Sequence, residues 1–510
     1  MEQYTTKSLA GKLILLATIL ASGMAFLDGT VVGVALPILQ AKLHATIAGI
    51  EWVINSFALA LAALLLVSGA MGDRFGRRKV FTIGIALFTL SSLLCGFSQT
   101  IGQLIFFRAL QGIGSAMMIP GSLAIINASF AEGTRGKAIG LWSGFSGGLA
   151  ALGPFVGGWL VEHVSWQSIF FLNIPLGLLA LFITLKFVPE SRNPDSKKID
   201  LIGTILITAG LLGISYGLIE GPVHGWQPFT ITSLIIGIIA FVGFLYSQTK
   251  VKEPLVPYHI FKSGLVTGAN LVTLFLYFAL YGTFFFVGLN LQQVQEFSPS
   301  SAGLAFLPPI LFITFLSGPA GGLADKIGPR IPMILGPAIV GVGFASMAIL
   351  SGTHVNYFVS FLPGLVLFGL GMALVIAPLT KSALAVEHKY SGAASGVNNG
   401  ISRIAALLSV AVLGAFALSL FGPRLTQSIQ SSSLTNTQKE QILSQTNKLG
   451  GIEIPQDFDI KTASLAKDLI AQSFVNSFRY VMSVDAALAF LSATISFFTI
   501  KKLRGRTEEF

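Results

Sequence analysis

Charge and cysteine are what this 510-residue chain has least of. Asp, Glu, Lys and Arg make up 11% of its residues, whereas a soluble protein carries roughly 25% to cover its surface. Most of the outer surface must therefore face something other than water, which excludes soluble enzymes, disordered chains and secreted disulfide scaffolds. The single cysteine, Cys95, excludes an internal disulfide and a thiolate metal centre. The six histidines show no metal-ligand spacing. A phosphate loop is missing too, because GIGSAMMIPG (112–121) lacks the closing Lys-Ser/Thr. No enzymatic activity, cofactor or metal is expected, and energy should come from an ion gradient.

Apolar residues are abundant: 53% are hydrophobic and the mean hydropathy is +0.77. Apolar runs recur near the ~20 residues a helix needs to cross ~30 Å of hydrocarbon. They lie at 13–37, 51–71, 80–99, 101–124, 138–160, 168–188, 200–219, 229–249, 264–292, 301–324, 331–352, 356–380, 392–421 and 473–500, fourteen spans in all. The runs are apolar on every face instead of alternating, so helices are expected and a barrel is not. The first run is too long and too late for a cleaved signal peptide.

The net charge of +10 is placed asymmetrically. One set of loops holds Arg74, Arg77, Arg78, Lys79, Arg135, Lys137, Arg192, Lys197, Lys198, Lys250, Lys252, Lys262, Lys326, Arg330, Lys381 and Lys389, with Lys7 and Lys12 before the first run and Lys501, Lys502, Arg504 and Arg506 in the tail. The opposite short loops hold only Lys42. The basic side faces the cytoplasm, so both termini are expected there. The positive charge is a topology signal, and nucleic acid is excluded as a partner. The polar stretch 422–472 falls on the outer side, as a solvated connector or a cap over the outer mouth, with 434–450 able to form a short surface helix.

The chain also repeats itself. GAMGDRFGRR (Gly69–Arg78) and GGLADKIGPR (Gly321–Arg330) align with Asp73, Gly76 and Arg78 on Asp325, Gly328 and Arg330, and Arg74 on Lys326. Six spans with linkers fill about 190 residues, so about 60 residues are inserted between the repeats. The expected architecture is an all-α polytopic membrane protein with an N-terminal six-span bundle (1–190), two additional spans (191–255) and a C-terminal six-span bundle (256–510). Parallel repeats of this kind place substrate near the midplane between the halves.

These residues resemble the fourteen-span drug:proton antiporters of the major facilitator superfamily (EmrB/QacA type) over nearly the whole length. LDGTVVGVALP (27–37) is similar to the first-helix motif and GDRFGRR (72–78) to the cytoplasmic gate. RALQGIGSAMMIP (108–120) and GLAALGPFVGG (148–158) are similar to the fourth-helix and antiporter motifs. The resemblance implies a major facilitator fold, and it marks Gly148, Gly153, Pro154, Gly157 and Gly158 as the antiporter helix. Two positions depart from the family pattern. Trp166-Gln167 stands where Trp-Arg is common, and Asn55 stands where exporters of cationic drugs carry an acid in span two.

Ionisable residues well inside the runs are few: Asp28, Arg108, Arg403 and Asp485, with Arg479 nearer an outer end. An ionised side chain at mid-bilayer costs roughly 2.5–3.5 kcal/mol on insertion scales, so each should face the interior and find a partner. Asp28 is the candidate proton carrier, and Arg108 is the base positioned to modulate it, with Asp485 as a second proton site. Arg403 and Asp485 differ in depth by roughly 6 Å, so a structural ion pair between them is the alternative role for Asp485. Asp73, Arg74, Gly76 and Arg78, repeated by Asp325 and Arg330, form the candidate gate, with Asp73 able to cap a neighbouring helix N-terminus. Gly140, Gly144 and Gly148 precede Gly153 at spacings that let helix backbones approach. Aromatic residues crowd the ninth run and face either a cavity or lipid. Candidates for a substrate cavity are Asn55, Gln111, Tyr277, Tyr281, Asn290, Asn398 and Asn399.

The leading functional expectation is proton-coupled efflux of amphipathic small molecules by alternating access, in a bacterial cell membrane. Proton-coupled uptake and lipid or lysolipid flipping are the alternatives the same fold permits. The expected partners are the bilayer, protons and a small-molecule substrate; a periplasmic adapter is not specified by any residue.

Overall fold

The computed structural model describes residues 4–192, 200–386 and 391–500. Lys197, Lys198, Lys389 and the basic tail lie outside them. Fourteen helices are long and apolar enough to cross a membrane. Among the described residues no strand forms, and one isolated bridge joins Tyr4 to Phe130.

Spans one to four are Leu9–Lys42, Ile47–Phe75, Arg77–Gly96 and Ile101–Ser129. Span five is Glu132–His163, and span six is Ser168–Phe187 with a break before Asn173. The additional spans seven and eight are Leu201–His224 and Pro228–Ser247. Span nine is Gly264–Leu289, prolonged by a π turn at Asn290–Val294. Span ten is Pro299–Ile327, and spans eleven and twelve are Arg330–Leu350 and Leu362–Ala383. Spans thirteen and fourteen are Ser391–Gln430 and Ile460–Thr499.

Local chemistry sets the helix starts. Ser8, Thr46, Thr100, Asp200, Ser263 and Asp459 each accept a hydrogen bond from a backbone N–H in the first turn of the helix that follows. The interior mixes small, aliphatic and aromatic side chains, among them Ile14, Ala21, Phe81, Phe88, Ala116 and Ile126 in spans one, three and four. The small ones let helix backbones approach closely, a source of stability for helices in lipid.

The chain forms two compact units. The first is Met1–Leu255 with Phe297–Leu304, so it includes spans seven and eight; the second is Val256–Glu296 with Ala305–Phe510. Spans seven and eight pack on each other, and span seven packs on span two. The start of span ten joins the first unit because it packs on the end of span five. A side chain at Gly158 would lie 2.3 Å from the carbonyl oxygen of Pro299, and one at Gly303 would lie 2.1 Å from that of Pro154. Glu162 accepts from the backbone N–H of Ser300 at 3.0 Å.

The polar stretch 422–472 is largely helical. Spans thirteen and fourteen are both 40 residues, about 60 Å at 1.5 Å per residue, twice the hydrocarbon thickness. Between them Asn436–Leu443 forms a helix closed by a capping box of Thr435 and Gln438. Leu434, Ile442, Leu449 and Phe458 of this stretch are buried, so the segment is packed and not merely solvated. At its rim Lys467 hydrogen-bonds Glu296, which holds that carboxyl below its ordinary range.

The topology is testable by labelling. In a Cys95→Ser background, a cysteine replacing Lys439 should react with an impermeant maleimide in intact cells, and one replacing Lys250 should react only after permeabilisation. Equal reactivity at both positions would contradict the orientation.

Candidate functional site

Asp28 sits twenty residues into span one and is 1% exposed. Arg108, on span four, is equally buried and forms an ion pair with Asp28 Oδ2. Its other hydrogen bonds are fixed: Nε donates to the carbonyl of Val53 on span two at 3.1 Å, and Nη1 to Gln111 Oε1 at 2.7 Å. The guanidinium lies 4.4 Å from the ring centroid of Phe57. Arg108 therefore points inward and does not reach for the headgroups.

The second oxygen of Asp28 is also held. Gln111 Nε2 donates to Oδ1 at 2.9 Å and Asn173 Nδ2 at 3.2 Å. Both amides also donate to Ser92 Oγ, at 3.2 and 3.0 Å. Residues of spans one, three, four and six thus converge on one carboxylate, and span two joins through a backbone carbonyl. Gln111, expected as a cavity residue, belongs to this buried cluster instead. Asn173 and Ser92 escaped the sequence reading because neutral polar residues are common in transmembrane helices and carry no charge signal.

The gate differs in detail from expectation. Asp73 does not cap a helix; it accepts from Arg77 Nε at 2.9 Å and pairs with Nη2 at 2.8 Å. The cap on span three comes from Glu190, beyond the end of span six. Its oxygens accept from the backbone N–H groups of Arg78 and Lys79 at 3.1 and 3.2 Å. A carboxylate there suits the positive end of the helix dipole. Arg77 N–H donates to Ser191 O at 2.9 Å and Arg78 Nη1 to Val188 O at 3.3 Å. Gly76 has φ +113°, and a Cβ there would lie 2.8–3.0 Å from the Glu190 carboxylate. In the second unit Arg330 Nη2 donates to Phe497 O at 3.2 Å, near the end of span fourteen, and Asp325 pairs with Lys381 at 2.5 Å. Arg78 and Arg330 therefore perform the same task, each tying the loop after its unit's second span to the end of that unit's last bundle helix. Arg74 reaches none of these partners and lies over the ring of Phe75.

Asp485 is fully buried, and its partner is not the one expected. Thr283 Oγ1, on span nine, donates to Asp485 Oδ2 at 3.0 Å, and Oδ1 has no hydrogen-bond partner among the described residues. The face of span fourteen carrying Asp485 turns toward span nine. Gly282 makes the room, since a Cβ there would lie 3.2 Å from Oδ2. Arg403 lies within electrostatic reach of Tyr277 instead. Arg479 donates to the last turn of span eleven, with Nε 3.1 Å from Ser351 O.

The family model described as Major Facilitator Superfamily matches residues 18–410. The chain belongs to the major facilitator superfamily. It is 30% identical over 493 residues to the tetracenomycin C resistance and export protein of Streptomyces glaucescens, covering 96% of this chain and 91% of that one. It is 34% identical to multidrug resistance protein Stp of Mycobacterium tuberculosis, over 79% of this chain and 75% of the relative. To puromycin resistance protein pur8 of Streptomyces alboniger it is 36% identical, over 79% and 80%. The fold is shared with a bacterial homologue of the lysosomal transporter Spinster, at TM-score 0.64 and 19% identity over 96% of this chain and 98% of that one. A D-xylose-proton symporter matches at TM-score 0.63 and 14% identity, over 98% and 99%.

In this major facilitator protein the antiporter-helix residues separate into two groups. Gly153 and Gly157 press on span one: a Cβ would lie 1.9 Å from Thr30 Oγ1 at the first and 3.0 Å from Val31 O at the second. Thr30 Oγ1 also donates to Ala150 O at 2.9 Å. Gly140, Gly144 and Gly148 press on nothing, since a Cβ at each would meet no atom within 4 Å. The expected close approach therefore begins only at Gly153, beside Pro154, on the face that turns to span one.

The cavity candidates do not gather in one place. Asn398 bridges spans thirteen and nine, donating to Asn270 Oδ1 at 3.1 Å and Thr273 Oγ1 at 2.8 Å. Asn290 is buried in the π turn at the other end of span nine. Twenty residues separate Asn270 from Asn290, about 30 Å of helix, so Asn290 and Asn398 cannot flank one small molecule. Asn399 is exposed and donates to its own helix at Ser395 O. Tyr277 and Tyr281 stand 6.5 Å apart, half-buried. Phe284 stacks on Phe306 at 4.9 Å and meets Phe368 edge-on at 5.8 Å, so part of the aromatic crowd on span nine is core. Asn55 is fully buried, and neither amide atom has a hydrogen-bond partner among the described residues.

Two couplings follow. Gly76→Ala should lower thermal stability in detergent by about 1–3 kcal/mol, the usual cost of forcing a side chain into a strained backbone region. Glu190→Ala should recover part of that loss in the double variant, although alone it removes a cap; strict additivity would show that the carboxylate does not crowd Gly76. Likewise, Thr283→Val and Asp485→Asn should each reduce stability, with the double variant losing less than the sum. Coupling of Asp485 to Arg403 in place of Thr283 would reverse the assignment.

Proposed function

We propose that this protein exports amphipathic small molecules across the cell membrane in exchange for protons. The observation that carries the reading is the buried carboxylate Asp28, held by a guanidinium and two amides contributed by two other helices. Protonating Asp28 removes the charge that binds Arg108, while Val53 and Gln111 retain the arginine. Span one is then released from span four, and the cation is left on neutral acceptors at a cost that deprotonation relieves. Deprotonation restores the charge-assisted bonds. A proton-controlled attachment between helices of one bundle is the kind of bistable contact that alternating access needs. The outward direction is supported by relatives whose names describe resistance and export. The missing acid at Asn55 favours neutral or weakly basic substrates over dications. Asp485, with one bare oxygen, is a second proton site in this reading.

The test is dye transport in proteoliposomes under an imposed proton gradient. Asp28→Asn should abolish gradient-driven transport while the protein remains folded and inserted. Asp28→Glu should keep part of the activity with a displaced pH optimum. Arg108→Lys should be nearly as damaging as Arg108→Ala, because an ammonium cannot reach Asp28, Gln111 and Val53 together. Wild-type coupling in Asp28→Asn would move the proton site, and loss of coupling in Asp485→Asn alone would place it in the second unit. Dye accumulation by everted vesicles, against substrate-stimulated proton entry into intact cells, separates export from uptake.

A further inference from the structure

Span two carries a carboxyl group that the Asp28 cluster leaves unused. Glu51 is 2% exposed, and its Oε1 has no hydrogen-bond partner among the described residues. One turn further along, on the same helical face, Asn55 is fully buried with both amide atoms unpartnered. Span seven places Glu220 within electrostatic reach of Glu51. One oxygen of Glu220 accepts from Trp52 Nε1 at 2.7 Å, and the other faces His224 Nδ1 at 3.0 Å. The side chains of His224 and Glu220 are 61% and 16% exposed, so exposure falls stepwise from His224 to Glu220 to Glu51. Tyr216 packs against Trp52 at 6.4 Å and Phe229 at 5.6 Å, walling the group with rings.

We propose that Glu51 is a proton-loading site at the outer end of span two, exchanging its proton with outside water by way of Glu220 and His224. This rests on the proton-driven reading given above. A buried carboxylate with an undonated oxygen is costly, and the charge of Glu220 within electrostatic reach adds to that cost; a proton on Glu51 relieves both. Few other charges face the site. Span four offers Arg108, already engaged by Asp28; span one has Lys12, Asp28 and Lys42. Span three has Arg77, Arg78 and Lys79 at its far inner end and the thiol of Cys95. Span eight, packed on span seven, has only the phenol of Tyr246. Val53, between Glu51 and Asn55, is the residue whose carbonyl Arg108 holds, so span two runs from this site directly to the Asp28 cluster. The additional hairpin would thus supply the outer half of a proton path.

The test uses full-length protein in nanodiscs and proteoliposomes. Infrared difference spectra between acidic and alkaline buffer should show a carboxylic-acid C=O band that disappears in Glu51→Gln and changes frequency in Glu220→Gln. Gradient-driven dye transport should persist at reduced rate in both, with the midpoint of its outer-pH profile moved by about one unit. An unchanged band and an unchanged profile in Glu51→Gln would overturn the proposal. Should Glu51→Gln fail to fold, unchanged profiles in both Glu220→Gln and His224→Ala would overturn it equally. Dye transport by the wild-type protein that ignores the imposed proton gradient would defeat the proton-driven reading alone, because the Glu51 band is read without transport.

Discussion

A carboxylate and a guanidinium placed together out of reach of water constrain everything around them in the first unit. Either charge alone in hydrocarbon would be expensive, and removing one partner of such a pair costs about 3–5 kcal/mol. Asp28 and Arg108 are therefore surrounded by groups that satisfy what the pair leaves over: Gln111 and Asn173 on Oδ1, Val53 O on Nε, and the Phe57 ring against the cation. With Ser92 of span three accepting from both amides, the cluster draws on five helices, so the packing of spans one, two, three, four and six is fixed around one charge. A group that changes this charge by one proton changes what holds those helices together.

The second unit solves the same problem with less. Asp485 has one hydroxyl donor where Asp28 has an arginine and two amides. The two units share their fold and their loop device, in which Arg78 and Arg330 each bind a carbonyl at the end of their unit's last bundle helix. They do not share their ionisable chemistry. Repetition of backbone and divergence of side chains are compatible, because helix packing depends on small residues and turn glycines, whereas a proton site depends on a handful of polar groups.

The additional hairpin is more than a spacer in this arrangement. Through Trp52 and Glu220 it is hydrogen-bonded to span two, which also carries Glu51 and Asn55. In a bilayer, polar groups at a helix seam are retained where they have work to do or partners to satisfy. Glu220 has such partners, whereas Glu51 Oε1 and the Asn55 amide have none.

Fourteen helices and the repeated loop motif were legible in the sequence because hydropathy and motif spacing are local or one-dimensional signals. Asp28 and Arg108 were legible as individuals because charge is rare inside a span. Their neighbours were not: Ser92 and Asn173 look like ordinary polar residues until span six folds back onto span three. Glu51 is the first residue of the apolar run 51–71 and carries no signal there, but the helix starts at Ile47 and span seven packs on it. Glu190 caps a helix that begins more than a hundred residues earlier, a distance no spacing rule reaches. The pairing of Arg403 with Asp485 was inferred from depth alone, and depth does not specify which face of a helix a side chain occupies. Composition and periodicity determine that a segment crosses the membrane and which way it runs. Only the tertiary structure determines the azimuth of each helix, and azimuth decides which buried charges meet.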